Sequence, residues 1–159
     1  AISKHIAEAL ITYDPKNTAS YNKNLQRLLS RIEQTKSFIE TTLDSNSISD
    51  RPPFIAYHDA FQYFEDENRL NYIDSISYDE ETGPGLKHLR QIKSLIDEKN
   101  IQCLVYQAPK PAIVDSLTAQ TSIKATALDP LGINVSNDKE AWFELMKQLA
   151  TDFKQCLKR

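Results

Sequence analysis

The chain has 159 residues, enough for one domain with a real core. Apolar residues make up 40% and charged residues 26%, the balance of a soluble globular protein. A formal net charge of −3 argues against a nucleic-acid or anionic-membrane partner, which would favour a basic patch, and no apolar run approaches the length of a membrane helix.

Ile2, Ile6, Ala9 and Leu10 mark a helix over residues 2–12. The chain starts in this pattern, without methionine or signal peptide. A processed or truncated product is expected, so the missing signal does not exclude secretion. Tyr13-Asp14-Pro15-Lys16-Asn17 reads as a turn with proline at a helix start. From Asn17 to Leu43 apolar residues fall at Tyr21, Leu25, Leu28, Leu29, Ile32, Phe38, Ile39 and Leu43, with no glycine or proline between. That is one long helix, of the kind that serves as a strut. Residues 44–50 form a polar loop.

From there strand and helix alternate. Phe54–Tyr57 reads as a buried strand, followed by a helix over Ala60–Arg69. Tyr72–Tyr78 is a second strand. After the Gly83-Pro84-Gly85 break, Leu86, Leu89, Ile92, Leu95 and Ile96 mark a helix to about Lys99. Ile101–Gln107 is a third strand, Pro109 and Pro111 open a helix through Ala119, and Lys124–Leu128 is a fourth strand. Asn137, with Glu140 three residues on, predicts the cap of a last helix. Trp142, Leu145, Met146, Leu149, Phe153, Cys156 and Leu157 predict its buried stripe. Four strands alternating with helices imply an α/β fold: a four-stranded, mostly parallel sheet flanked by helices, preceded by the long strut helix.

His58 and Asp129 each follow a predicted strand directly. Both are therefore expected at the carboxyl edge of the sheet, where open α/β sheets bind ligands. A neutral imidazole and a carboxylate are good zinc ligands. The ordinary alternatives are a hydrogen-bonded structural histidine and an Asp-Pro turn. Asp59 reads as a cap for the next helix, Asp79-Glu80-Glu81 as a solvated acidic cluster, and Phe61, Tyr63 and Phe64 as core. His5 and His88 read as solvated. The three glycines, Gly83, Gly85 and Gly132, supply no phosphate-cradling loop, and no nucleophile elbow is present. A small hydrolase using His58 and Asp129 would lack further ligands and a proton-transfer group. The two cysteines, Cys103 and Cys156, fit no zinc-finger spacing. They are either two buried thiols or one disulfide tying a central strand to the last helix.

Several segments together resemble the zinc-uptake solute-binding proteins of ABC transporters (ZnuA-like, cluster A-I). They are Tyr57-His58-Asp59-Ala60-Phe61-Gln62-Tyr63-Phe64, Pro84-Gly85 with His88-Leu89 and Ile92, Cys103 to Pro109, Ala127-Leu128-Asp129-Pro130-Leu131-Gly132, and Asp14-Pro15-Lys16-Asn17 with Tyr21-Asn22-Lys23-Asn24. The resemblance runs in order over nearly the whole chain. It implies a periplasmic, non-enzymatic binding protein of two α/β lobes joined by a rigid helix, with Zn2+ held between the lobes and passed to an ABC permease. In such proteins one lobe gives two histidines; the other gives a histidine or glutamate and an aspartate. Carried over, His58 is the third metal ligand and Asp129 the fourth or an outer-shell support. Imidazole in place of glutamate favours zinc over manganese. The same resemblance implies a Cys103–Cys156 disulfide. Gln107 departs from the family by replacing a glutamate. Residues 51–159 then correspond to the C-terminal lobe, 17–45 to the linker helix, and 1–16 to a remnant of an absent N-terminal lobe. Such a piece would hold half of the metal site, bind Zn2+ weakly, and expose an apolar face prone to artificial self-association. The alternatives are a manganese or iron cargo, or a metal-free, stand-alone α/β interaction domain.

Overall fold

Phe54-Ile55-Ala56 forms β1, and all three residues are sealed from solvent. A strand buried on both faces must lie inside a sheet that is covered on both sides. The structure, a computed structural model, describes residues 2–43, 51–78 and 83–158. Four parallel strands form the sheet: β1, β2 (Tyr72–Ser75), β3 (Cys103–Gln107) and β4 (Lys124–Leu128), in the order β2-β1-β3-β4. Register runs from Phe54 to Cys103 to Lys124 across the three strands β1, β3 and β4.

The period-two alternation of the strands sorts their side chains into two cores. Phe54, Ala56, Cys103, Val105 and Leu128 face one side, with Phe61, Leu149, Phe153 and Cys156. Ile55 and Leu104 face the other, with Ile92, Ile96, Val114 and Leu117. The first core is covered by α3 (Gln62–Asn68) and α6 (Ala141–Leu157), the second by α4 (Leu86–Glu98) and α5 (Ala112–Gln120). Phe153 is the hub of the first core. Its ring lies edge-on to Phe54 and Phe61, at 5.4 and 5.7 Å, and stacks on Phe64 at 5.6 Å. A disulfide joins Cys103 on β3 to Cys156 on α6, clamping this helix to the sheet from within the same core.

Internal contacts divide the chain into residues 1–38 and 39–159. The first unit holds α1 (Ile2–Tyr13), a 3-10 turn at Pro15–Asn17 and most of α2 (Thr18–Leu43). At the turn the Asp14 carboxylate accepts hydrogen bonds from Asn17 Nδ2 at 2.7 Å and Tyr21 Oη at 2.9 Å. These bonds hold Asp14 below the usual carboxylate value.

Four expectations are corrected. Asn137 does not cap the last helix; Asp138 organises its entry, accepting the Glu140 N–H on its side chain at 2.7 Å and the Ala141 N–H on its carbonyl at 3.2 Å. Asp59 caps no backbone N–H, because α3 starts at Gln62; its carboxylate instead accepts the Gln62 side-chain amide at 2.7 Å. Tyr63 is 92% exposed and Trp142 49%, so neither belongs to the core. His88 is half-buried, and its Nε2 bonds the Ser75 carbonyl at 2.7 Å. A carbonyl can only accept, so Nε2 carries the proton and ties α4 to the end of β2. The expected loop at 44–50 and the cluster Asp79-Glu80-Glu81 lie outside the described residues.

Because Phe153 closes the aromatic cluster, Phe153→Ala is expected to cost about 3–5 kcal/mol in urea unfolding. Opening the 53-residue Cys103–Cys156 separation is expected to cost ~4 kcal/mol in the chain-entropy account, read as the stability difference between oxidised and reduced protein.

Candidate metal centre

The strand order sets the location of the site before any side chain is considered. From β1 the chain turns to β2, on one side; from β3 it turns to β4, on the other. The switch point therefore falls between the carboxyl ends of β1 and β3, the position at which open α/β sheets bind ligands. His58 stands two residues past β1, and Gln107 is the last residue of β3.

The backbone that leads to His58 is pinned on both sides. Tyr57 N–H donates to Val105 carbonyl at 2.7 Å; Ala56 and Tyr57 carbonyls accept from Ile76 and Ser77 N–H at 2.9 and 2.8 Å. His58 is half-buried, with its ring edge-on to Tyr57 at 6.3 Å. A rigid strand end thus presents the imidazole.

Asp129 follows β4 at the same edge of the sheet. Two strand spacings of about 4.8 Å separate the ends of β1 and β4, with β3 between. Gln107 pairs with Leu128 in the register, so the end of β3 lies between His58 and Asp129. The Asp129 carboxylate organises the loop that follows it. Oδ2 accepts the Asn134 backbone N–H at 2.9 Å and its side-chain amide at 3.3 Å. Hydrogen bonding from the Asn134 backbone, then from Ile133, Gly132 and Leu131, holds Asp129 below the usual carboxylate value against the opposing effect of desolvation. Gly132 takes φ +68° inside this loop, a conformation that L side chains resist.

A cleft of about 650 Å³ opens beside Asp129 and is lined also by Gln107, Asn134, Glu144, Gln148 and Asp152; His58 is not among its walls. Burial raises Asp152, while the Gln148 amide, donating at 2.9 Å, opposes that rise. Among the described residues no three histidine, cysteine, aspartate or glutamate side chains converge as a metal cluster. His58 and Asp129 therefore share an edge, one strand apart, without forming a closed site by themselves. Of the other histidines, His5 is exposed on α1 and His88 is bonded to the backbone after β2.

A family model described as "Zinc-uptake complex component A periplasmic" (ZnuA) matches residues 1–156. The chain belongs to this family. ZnuA is a family of transport proteins, not of enzymes. The chain is 32% identical over 157 residues to the high-affinity zinc uptake system protein ZnuA of Haemophilus ducreyi, covering 98% of this chain and 49% of that protein. It is 29% identical over 164 residues to ZnuA of Yersinia pestis, covering 99% and 50%. The chain thus spans about half the length of the curated relatives it matches. A crystal structure of ZnuA superposes with a TM-score of 0.73 at 23% identity, over 96% of this chain and 56% of that one. A Zn(II)-bound mutant variant of AdcAII from Streptococcus pneumoniae gives 0.73 at 19% identity, over 98% and 56%. These likenesses show the same fold. No described helix is long and apolar enough to cross a membrane.

If the Asp129 carboxylate holds its loop, Asp129→Ala should speed amide exchange at Asn134 at neutral pH. Because the folded value of Asp129 is lowered, its contribution is present above the ordinary carboxylate value and is lost as pH falls through the folded one. The difference between wild type and variant should therefore vanish in strong acid. Equal exchange at neutral pH would contradict the assigned role.

Proposed function

We propose that this chain supplies the C-terminal lobe of a periplasmic solute-binding protein, which captures Zn2+ between two lobes and delivers it to an ABC permease. The observation that carries the reading is His58, held at the end of β1 beside the topological switch point, in a chain whose relatives are named for zinc uptake. His58 coordinates the ion. Asp129 coordinates it or orients the site from the outer shell, and its lowered pKa keeps it an anion for either role. Imidazole suits zinc better than manganese, which prefers oxygen donors.

The lobe presents His58 and, where Asp129 coordinates directly, a second of four ligands; the two histidines come from the N-terminal lobe. The segment 17–45, which contains α2, connects the lobes, and residues 1–16 belong with the N-terminal lobe. Two ligands leave Zn2+ mostly hydrated, so this chain alone binds it weakly. Leu131 and Ile133, 70% and 74% exposed in the loop after β4, offer apolar surface at the edge that would meet the other lobe. In isolation that surface favours artificial self-association.

The test is His58→Ala in the full-length protein, with zinc affinity measured by competition against a chelator. Loss of an outer-shell partner costs about 10–100-fold, and loss of a direct ligand is expected to cost at least as much. Unchanged affinity would remove His58 from the site. Titration with manganese and ferrous iron in competition separates the cargo: zinc should displace both, and preferential retention of either would replace zinc in this account.

A further inference from the structure

Glu65 lies on the core side of α3. It is 4% exposed, and its Oε1 has no hydrogen-bond partner. Phe61 and Phe64, one turn and one residue before it, pack on Phe153. Among the described residues the charges that act on Glu65 are both negative: Asp59, from the segment between β1 and α3, and Asp66, on α3 itself. From β2 the titratable neighbour is Tyr72, whose hydroxyl is raised by burial first and by Asp59, Asp74 and Glu65 after it. Arg51 meets α3 at its far end, where its Nη1 donates to the Asn68 carbonyl.

A carboxylate so placed would be a buried anion facing two others of the same sign, without a cation. The neutral acid avoids that cost. Glu65 is also wired to its helix and to the chain entering it. Its N–H donates to the Phe61 carbonyl and its carbonyl accepts the Leu70 N–H, both at 2.9 Å. Phe61 is three residues from His58. We propose that Glu65 is a proton-operated latch: as a neutral acid it seats α3 in the aromatic core, and on ionisation it loosens α3 together with the 58–61 segment that enters it.

Burial, then Asp59 and Asp66, pushes Glu65 up to about 7 from its ordinary 4.5. A raised acid binds its proton more tightly in the folded state, so stability is full below the ordinary value. It then falls, by up to about tenfold in folding constant per pH unit, until the folded value is passed. The window is therefore pH 4.5 to about 7.

The experiment is hydrogen exchange of residues 62–68, expressed as protection factors, between pH 5 and 8 in the full-length protein and its Glu65→Gln variant. Wild-type protection should fall severalfold or more across that range, and the variant should stay flat and exceed wild type at pH 8. The same pH dependence in both proteins would overturn the latch. Should the variant not fold, a carboxyl 13C titration of wild type decides: a midpoint near neutrality supports the latch, and one in the ordinary carboxylate range overturns it. Neither readout involves metal, so the latch stands or falls apart from the zinc reading.

Discussion

The structure depends on the double-sided burial of Phe54-Ile55-Ala56. With no face of β1 left for water, neighbouring strands must flank it and helices must cover both faces of the sheet. All four strands run parallel, so every one of them leaves the sheet at the same edge. Phe153 and the Cys103–Cys156 disulfide secure the same arrangement from one side. The isoleucine-rich core, with Ile55, Ile92 and Ile96, secures it from the other.

Once the strands share an edge, the chain's chemistry is sorted by where each strand stops. His58, Gln107 and Asp129 follow or end three adjacent strands in the order β1, β3, β4. Tyr57 holds the first by backbone hydrogen bonds to both neighbours, and the Asp129 carboxylate holds the last by folding its own loop around itself. The lobe proposed above would need this combination: donors fixed on a rigid edge, with the rest of the coordination sphere left for an opposite surface. Membership in the ZnuA family and a length about half that of its curated relatives fit such a division of labour.

Most of the fold was legible because its signals are periodic. The apolar runs of the two inner strands, β1 and β3, and the helical spacing of α2, α4 and α6 name their elements without tertiary knowledge. Errors gathered where the deciding interaction is not periodic. Asn137 and Glu140 match a capping box, yet Asp138 takes the hydrogen bonds and the helix starts later. Tyr63 has the same apolar character as Phe61 and Phe64 but falls on the outer side of a seven-residue helix. His88 reads as solvated because its partner is a carbonyl 13 residues away. The edge position of His58 and Asp129 was legible because strand ends are. The loop closure by Asp129 was not, since it depends on Gly132 turning the backbone back. Glu65, inside the run Glu65-Asp66-Glu67, looks like any solvated acid until the helix is docked.

The central claim is that the carboxyl edge of this sheet is half of a zinc site. Its most direct test is a crystal structure of the full-length protein with Zn2+, the ion located by anomalous scattering at the zinc edge. The account predicts one ion over the ends of β1 and β4, with a His58 ring nitrogen about 2.0–2.1 Å away and Asp129 either bound or bonded to a ligand. An ion coordinated elsewhere, with His58 turned from it, would contradict the account.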